Sequence, residues 1–149
     1  MKFNFILLKQ ISVLSALFGA MSGFVTLFPF LGIISFIFVL CLIAPIVVWL
    51  LIKYNCIAES SAQDGILIGA IAGFVGYLAF SIIYVPVSII IIKIFNYSAN
   101  VGVGILLNNA NLFLLLITSI FLGVVGATLN AFTGFLTFYV IEFVNSLKK

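Results

Sequence analysis

Charge is nearly absent from this chain. Only 6% of its 149 residues are charged, arginine and histidine do not occur, and the six lysines lie scattered along the chain. A soluble domain is about 25% charged, so a soluble globular enzyme is excluded. A disordered chain is excluded too, since it combines low hydrophobicity with high charge. The net charge of +3 is no nucleic-acid footprint, which needs clustered basic residues.

The missing side chains remove whole classes of chemistry. Without histidine the commonest metal ligand and proton shuttle is gone. Cys41 and Cys56 form no C-x-x-C pair, and they sit at different depths, which disfavours a disulfide within one chain. Proton-coupled transport needs a carboxylate inside the membrane. Glu59, Asp64 and Glu142 instead stand at the ends of apolar runs. Small four-helix multidrug exporters are similar to this chain in size but carry a glutamate in their first helix. Membrane thiol oxidases carry paired cysteines. Neither feature is present. Membrane hydrolases need a serine with a base, paired aspartates or a metal, and no base lies within a run. The glycines fall inside apolar runs, where they mean packing and not a phosphate loop. The reading is therefore no enzyme, no cofactor and no metal site.

What the chain has is apolar length. Hydrophobic residues make up 66% of it, and its mean hydropathy is +1.49. A hydrocarbon core about 30 Å thick needs roughly 20 apolar residues in a helix. Four runs meet this, at 11–28, 31–52, 65–92 and 112–141. The fold class is all-α: an integral membrane protein of four transmembrane helices in two hairpins, read as a single domain over 1–149. Pro45 and Pro86 should each bend their helix by removing a backbone donor. The 101–111 segment reads as a short interfacial helix or an irregular loop, with a re-entrant loop as the functional alternative. Lys2 and Lys9 before an apolar run also resemble a cleaved signal peptide.

An internal match argues for keeping the first run. Gly19-Ala20-Met21-Ser22-Gly23-Phe24-Val25 and Gly69-Ala70-Ile71-Ala72-Gly73-Phe74-Val75 share five of seven residues at a spacing of fifty. That pattern fits a parallel internal duplication of a helix pair.

Small residues recur at helical spacing. Ser15, Gly19 and Gly23 form one stripe; Gly65, Gly69 and Gly73 form another; the last run carries Gly123, Gly126 and Gly134. Small side chains let helix backbones approach closely, which drives association in lipid. The second run has almost none, so it is expected to face lipid, with the other three at the centre. Asn130 is the most polar residue deep in a run. It reads first as an interhelical hydrogen bond, and otherwise as part of a polar seam with Thr133 and Thr137.

Three functions remain in decreasing order. The first is a non-catalytic scaffold or accessory subunit that self-associates or joins a larger membrane complex through small-residue faces of the glycine-zipper kind. The second is a small passive channel or facilitator along the Asn130 seam. The third is a lysis-type pore former. The lipid bilayer is the expected surrounding, most commonly a bacterial inner (plasma) membrane, with no nucleic-acid partner. Lys2, Lys9, Lys53, Lys148 and Lys149 fall on one side and Lys93 on the other, which places both termini in the cytoplasm by the positive-inside rule. Reporter fusions at each end should both read cytoplasmic; an external signal at the C-terminus would refute this topology.

Overall fold

The structure is a computed structural model that describes residues 5–28, 30–57, 62–96, 98, 101–109 and 111–147. In chain order it contains α1 (Phe5–Val25), α2 (Leu31–Ile37), a π-helical turn (Phe38–Leu42), α3 (Ile43–Lys53), α4 (Ala62–Phe95), α5 (Val101–Asn109) and α6 (Leu112–Ser146). The second to fourth of these run on as one rod, Leu31–Lys53. Among the described residues four helices are long and apolar enough to cross a membrane: Phe5–Val25, Leu31–Lys53, Ala62–Phe95 and Leu112–Val144. The chain is an all-helical membrane protein.

The helix ends are set by local chemistry. α1 is already helical at Phe5, ahead of the apolar run at Ile11, and stops at Val25. Thr26 makes its last α-type bond: its backbone N–H and its Oγ1 both donate to the Ser22 carbonyl, at 2.9 and 2.7 Å. The next two N–H groups close tighter bonds, to the Phe24 and Val25 carbonyls at 3.1 Å each, as at many helix termini. Ser35 Oγ donates to the same Ser22 carbonyl at 2.8 Å and ties the second span to the end of the first. Asn55 terminates α3 with φ 54°. Its N–H bonds Ile52 O, and the Cys56 N–H reaches back to Leu51 O at 2.9 Å. This paired bonding is the Schellman arrangement, and asparagine tolerates its left-handed residue. Lys53 closes the same helix with its ammonium over the Trp49 ring at 4.8 Å. Asn111 caps α6 by accepting from the Leu114 N–H at 2.8 Å, which satisfies an orphan donor of the first turn.

α4 is the central helix. It packs along α1 on one side and α6 on the other. The order of contacts gives the directions. Gly19 meets Gly76 and Gly23 meets Phe80, so α1 and α4 are parallel; Gly65 meets Gly134 and Gly73 meets Gly126, so α6 is antiparallel to α4. α5 also packs on α4. The 101–111 segment is thus helical over Val101–Asn109.

The second span does not lie out in lipid, and this corrects the expectation drawn from its lack of small residues. Val39, Ile43, Ala44, Val47 and Val48 are fully buried, and Leu51 nearly so. The physical reason is complementarity. Glycines on the other helices leave hollows, and large side chains of the second span fill them. Ile43 Cδ1 occupies the space a Cβ at Gly76 would take, and Leu40 lies against Gly126. Close packing needs a knob for each hole, and the knobs carry no small-residue signature. The opposite face of this span, with Ile33, Ile34, Ile37 and Trp49, is exposed.

The glycine contacts differ in tightness. A Cβ at Gly69 would overlap the Asn130 backbone, whereas one at Gly123 would meet its nearest neighbours at 3.4 Å, an ordinary contact. Gly69→Ala should therefore destabilise the detergent-solubilised protein by about 1–3 kcal/mol, and Gly69→Leu should abolish folded yield. Gly123→Ala should leave the melting temperature nearly unchanged. Equal effects of the two alanine variants would refute the packing described.

Candidate functional site

The most polar point of the bundle interior lies where the second span meets α6. Pro45 has no N–H, and its ring crowds the carbonyl four residues earlier. The helix answers with the π turn at Phe38–Leu42, just upstream. π turns commonly sit at sites of functional weight. With i→i+5 pairing, the Leu40 carbonyl would face the Pro45 nitrogen, which has nothing to donate. The Val39 carbonyl would face the Ala44 N–H. In water such groups would be solvated. In hydrocarbon each unsatisfied one costs several kcal/mol.

Asn130 supplies what the backbone lacks. Its Oδ1 accepts from the Ala44 N–H at 2.8 Å. Its Nδ2 donates to Leu40 O at 2.7 Å and to Val39 O at 3.0 Å. A third contact, to Gly126 O on its own helix at 3.0 Å, shares the same two N–H bonds. The carboxamide is thus inserted between the Leu40 carbonyl and the Ala44 N–H, replacing the backbone hydrogen bond that the π turn opens. Asn130 is fully buried, and no buried side-chain polar atom among the described residues lacks a partner.

The remaining seam residues turn inward on their own helix. Thr133 Oγ1 donates to Asn130 O at 3.2 Å, and Thr137 Oγ1 to Thr133 O at 2.7 Å. Both threonines are half-buried. Asn130, Thr133 and Thr137 do share one helix face, but Asn130 alone among them crosses to another helix.

All nine small residues read from the sequence are buried: Ser15, Gly19, Gly23, Gly65, Gly69, Gly73, Gly123, Gly126 and Gly134. Gly19 and Gly23 face α4, while Gly65, Gly69 and Gly73 face α6. Ser15 Oγ bonds back to Ile11 O at 2.7 Å. Gly123 and Gly126 have room for a methyl group; Gly134 does not, since a Cβ there would overlap Gly65. Gly73 bears directly on the site, because a Cβ on it would come within 2.6 Å of Asn130 Cβ. Sequence reasoning missed Gly76, which sits three residues beyond Gly73 and receives both Gly19 and Ile43. It also missed that the backbone ahead of Pro45 would be Asn130's partner. Pro45 signalled that carbonyls of its span need a donor, but not that Asn130 would be the donor.

An aromatic cluster flanks the site. Phe36 meets Tyr77 and Phe80 at centroid distances of 6.4 and 6.2 Å, and Phe80 stacks on Tyr84 at 5.2 Å. Such pairs add about 0.5–1.5 kcal/mol each beyond their buried area. Chemically the site holds amide, hydroxyl and aromatic groups, and among the described residues no cluster of histidine, cysteine or acidic side chains could hold a metal ion. No protein-family model matches the chain, and no curated protein or solved structure matches it significantly.

Asn130→Ala should destabilise the fold by about 2–4 kcal/mol, because it strands an N–H and two carbonyls. An interhelical hydrogen bond between two side chains in a membrane averages only about 0.6 kcal/mol. Pro45→Ala should restore the helical N–H and make Asn130→Ala much milder in the double variant. Additive losses in this thermodynamic cycle would refute the insertion.

Proposed function

We propose that this chain is a non-catalytic membrane scaffold or accessory subunit. One observation carries the reading: the polar groups and small-residue faces are consumed within the bundle. Asn130 is saturated, the threonine hydroxyls are tied to their own helix, and the glycines hold α1, α4 and α6 together. What faces outward is aliphatic and aromatic. On α6 this surface includes Phe113, Phe121, Phe132 and Tyr139. Protein partners are then met laterally, through large side chains, by self-association or within a larger complex. The small-residue stripes serve to build the scaffold itself.

A conduit along Asn130, Thr133 and Thr137 is the second reading. It would have to break the bonds from Asn130 to Val39, Leu40 and Ala44 and leave those backbone groups in need of water. The lysine distribution supports both termini in the cytoplasm, and a bacterial inner membrane is the proposed home. The match of Gly19–Val25 to Gly69–Val75 supports descent of the two helix pairs from one duplicated pair. The two copies now serve different neighbours, α4 for the first and α6 for the second.

Purification from the native membrane in mild detergent, followed by intact-particle mass measurement, tests this. A stoichiometric partner protein, or a defined homo-oligomer that conducts no solute in liposomes, is the expected result. Solute flux by a particle of this chain alone, abolished by Asn130→Ala in a variant that stays folded, would overturn the scaffold reading in favour of the conduit.

A further inference from the structure

A cavity of about 230 Å³ opens at one end of the bundle, where α4 ends, α5 lies across it and α6 begins. Ile89, Ile92, Leu107, Leu112 and Leu115 form its walls, and Lys93 and Asn108 supply its polar part. Leu107 and Leu115 are buried, while Lys93 and Asn108 are exposed. Neither of these two polar side chains has a hydrogen-bond or ion-pair partner among the described residues.

Depth identifies the surroundings of this cavity. Asp64 and Lys93 bracket the apolar run of α4, and at 1.5 Å per residue they are about 43 Å apart. The hydrocarbon layer is about 30 Å thick, so both charged ends of α4 reach headgroup level. An ammonium at that depth meets lipid phosphates before it meets any soluble anion. The cavity is smaller than the roughly 300–1,000 Å³ that encloses a whole small ligand. It suits a part of an amphiphile whose remainder lies in the bilayer.

We infer that this cavity binds an anionic phospholipid, with the phosphate on Lys93 and Asn108 and the start of an acyl chain against Ile89, Ile92, Leu107, Leu112 and Leu115. The site is independent of the scaffold reading. α5 completes it: Leu107 and Asn108 add a third wall to those of α4 and α6. The charge selects for phosphate-bearing anionic lipid over zwitterionic lipid. The apolar wall selects for lipid over free phosphate.

The test uses the full chain, delipidated in detergent. Phosphatidylglycerol, phosphatidylcholine or inorganic phosphate is added, and both retained lipid and melting temperature are measured. Phosphatidylglycerol should be retained and should raise the melting temperature; inorganic phosphate should do neither. Lys93→Gln should weaken phosphatidylglycerol retention by roughly 5-fold, the size expected for one surface lysine. Lys53→Gln, at the end of a different span, should leave it unchanged. Equal retention of the two lipids overturns the proposal. So does an equal loss in both lysine variants, which would mean general surface attraction. A melting-temperature rise with inorganic phosphate alone would likewise overturn the lipid assignment in favour of a bare anion site. Leu107→Gln gives an independent reading, because it should weaken lipid retention while Lys93 remains in place.

Discussion

The fold depends on how a broken backbone is satisfied where water cannot reach. Pro45 opens the second span in the middle of an apolar helix, and the Asn130 carboxamide closes the gap from the side. Every neighbouring feature serves that insertion. Gly73 leaves room for Asn130 Cβ, and Gly69 lets the α6 backbone at Asn130 lie directly against α4. A longer amide would have to fold back, and an aspartate would bring a charge that the hydrocarbon penalises. Asparagine provides both a donor and an acceptor at one reach, and the opened turn presents both an acceptor and a donor.

Around this point the helices are held by shape. Lipid tails are as apolar as leucine, so burying one leucine against another adds little association energy in a membrane. Close backbone approach adds dispersion contacts that lipid cannot match. The Gly19–Gly76 and Gly65–Gly134 approaches provide it for α4 against its two partners. The second span then fits by the reverse logic, inserting Ile43 and Leu40 where the glycines leave hollows. Its buried valines are stiff at χ1, so they lose little side-chain entropy on packing.

The helices themselves were legible because length and hydropathy act within one segment. Small residues recur at steps of three and four on three of the runs, and glycines of these runs stand where α1, α4 and α6 approach. The placement of the second span was not legible, because a knob is recognisable only beside its hole. Ile43 and Val47 look the same in lipid and in a core. Asn130 was readable as a hydrogen-bonding residue, yet its partner was hidden. Backbone carbonyls leave no mark in a sequence, and pairing Asn130 with Pro45 requires knowing that α6 lies against the second span. The end of α1 was misplaced for a similar reason. Pro29 is the conspicuous breaker, but the backbone already tightens to i→i−3 bonds at Leu27 and Phe28.

The same economy locates where selectivity can reside. Among the described residues every buried side-chain polar atom of the bundle already has a partner. Its lateral surface is largely aliphatic and aromatic. The two ends differ, because there exposed polar side chains such as Lys53, Lys93 and Asn108 occur. Lys53 is already engaged with Trp49. Lys93 instead opens beside a cavity lined by aliphatic side chains. At that end α5 and the start of α6 turn a plain helix terminus into a concave surface.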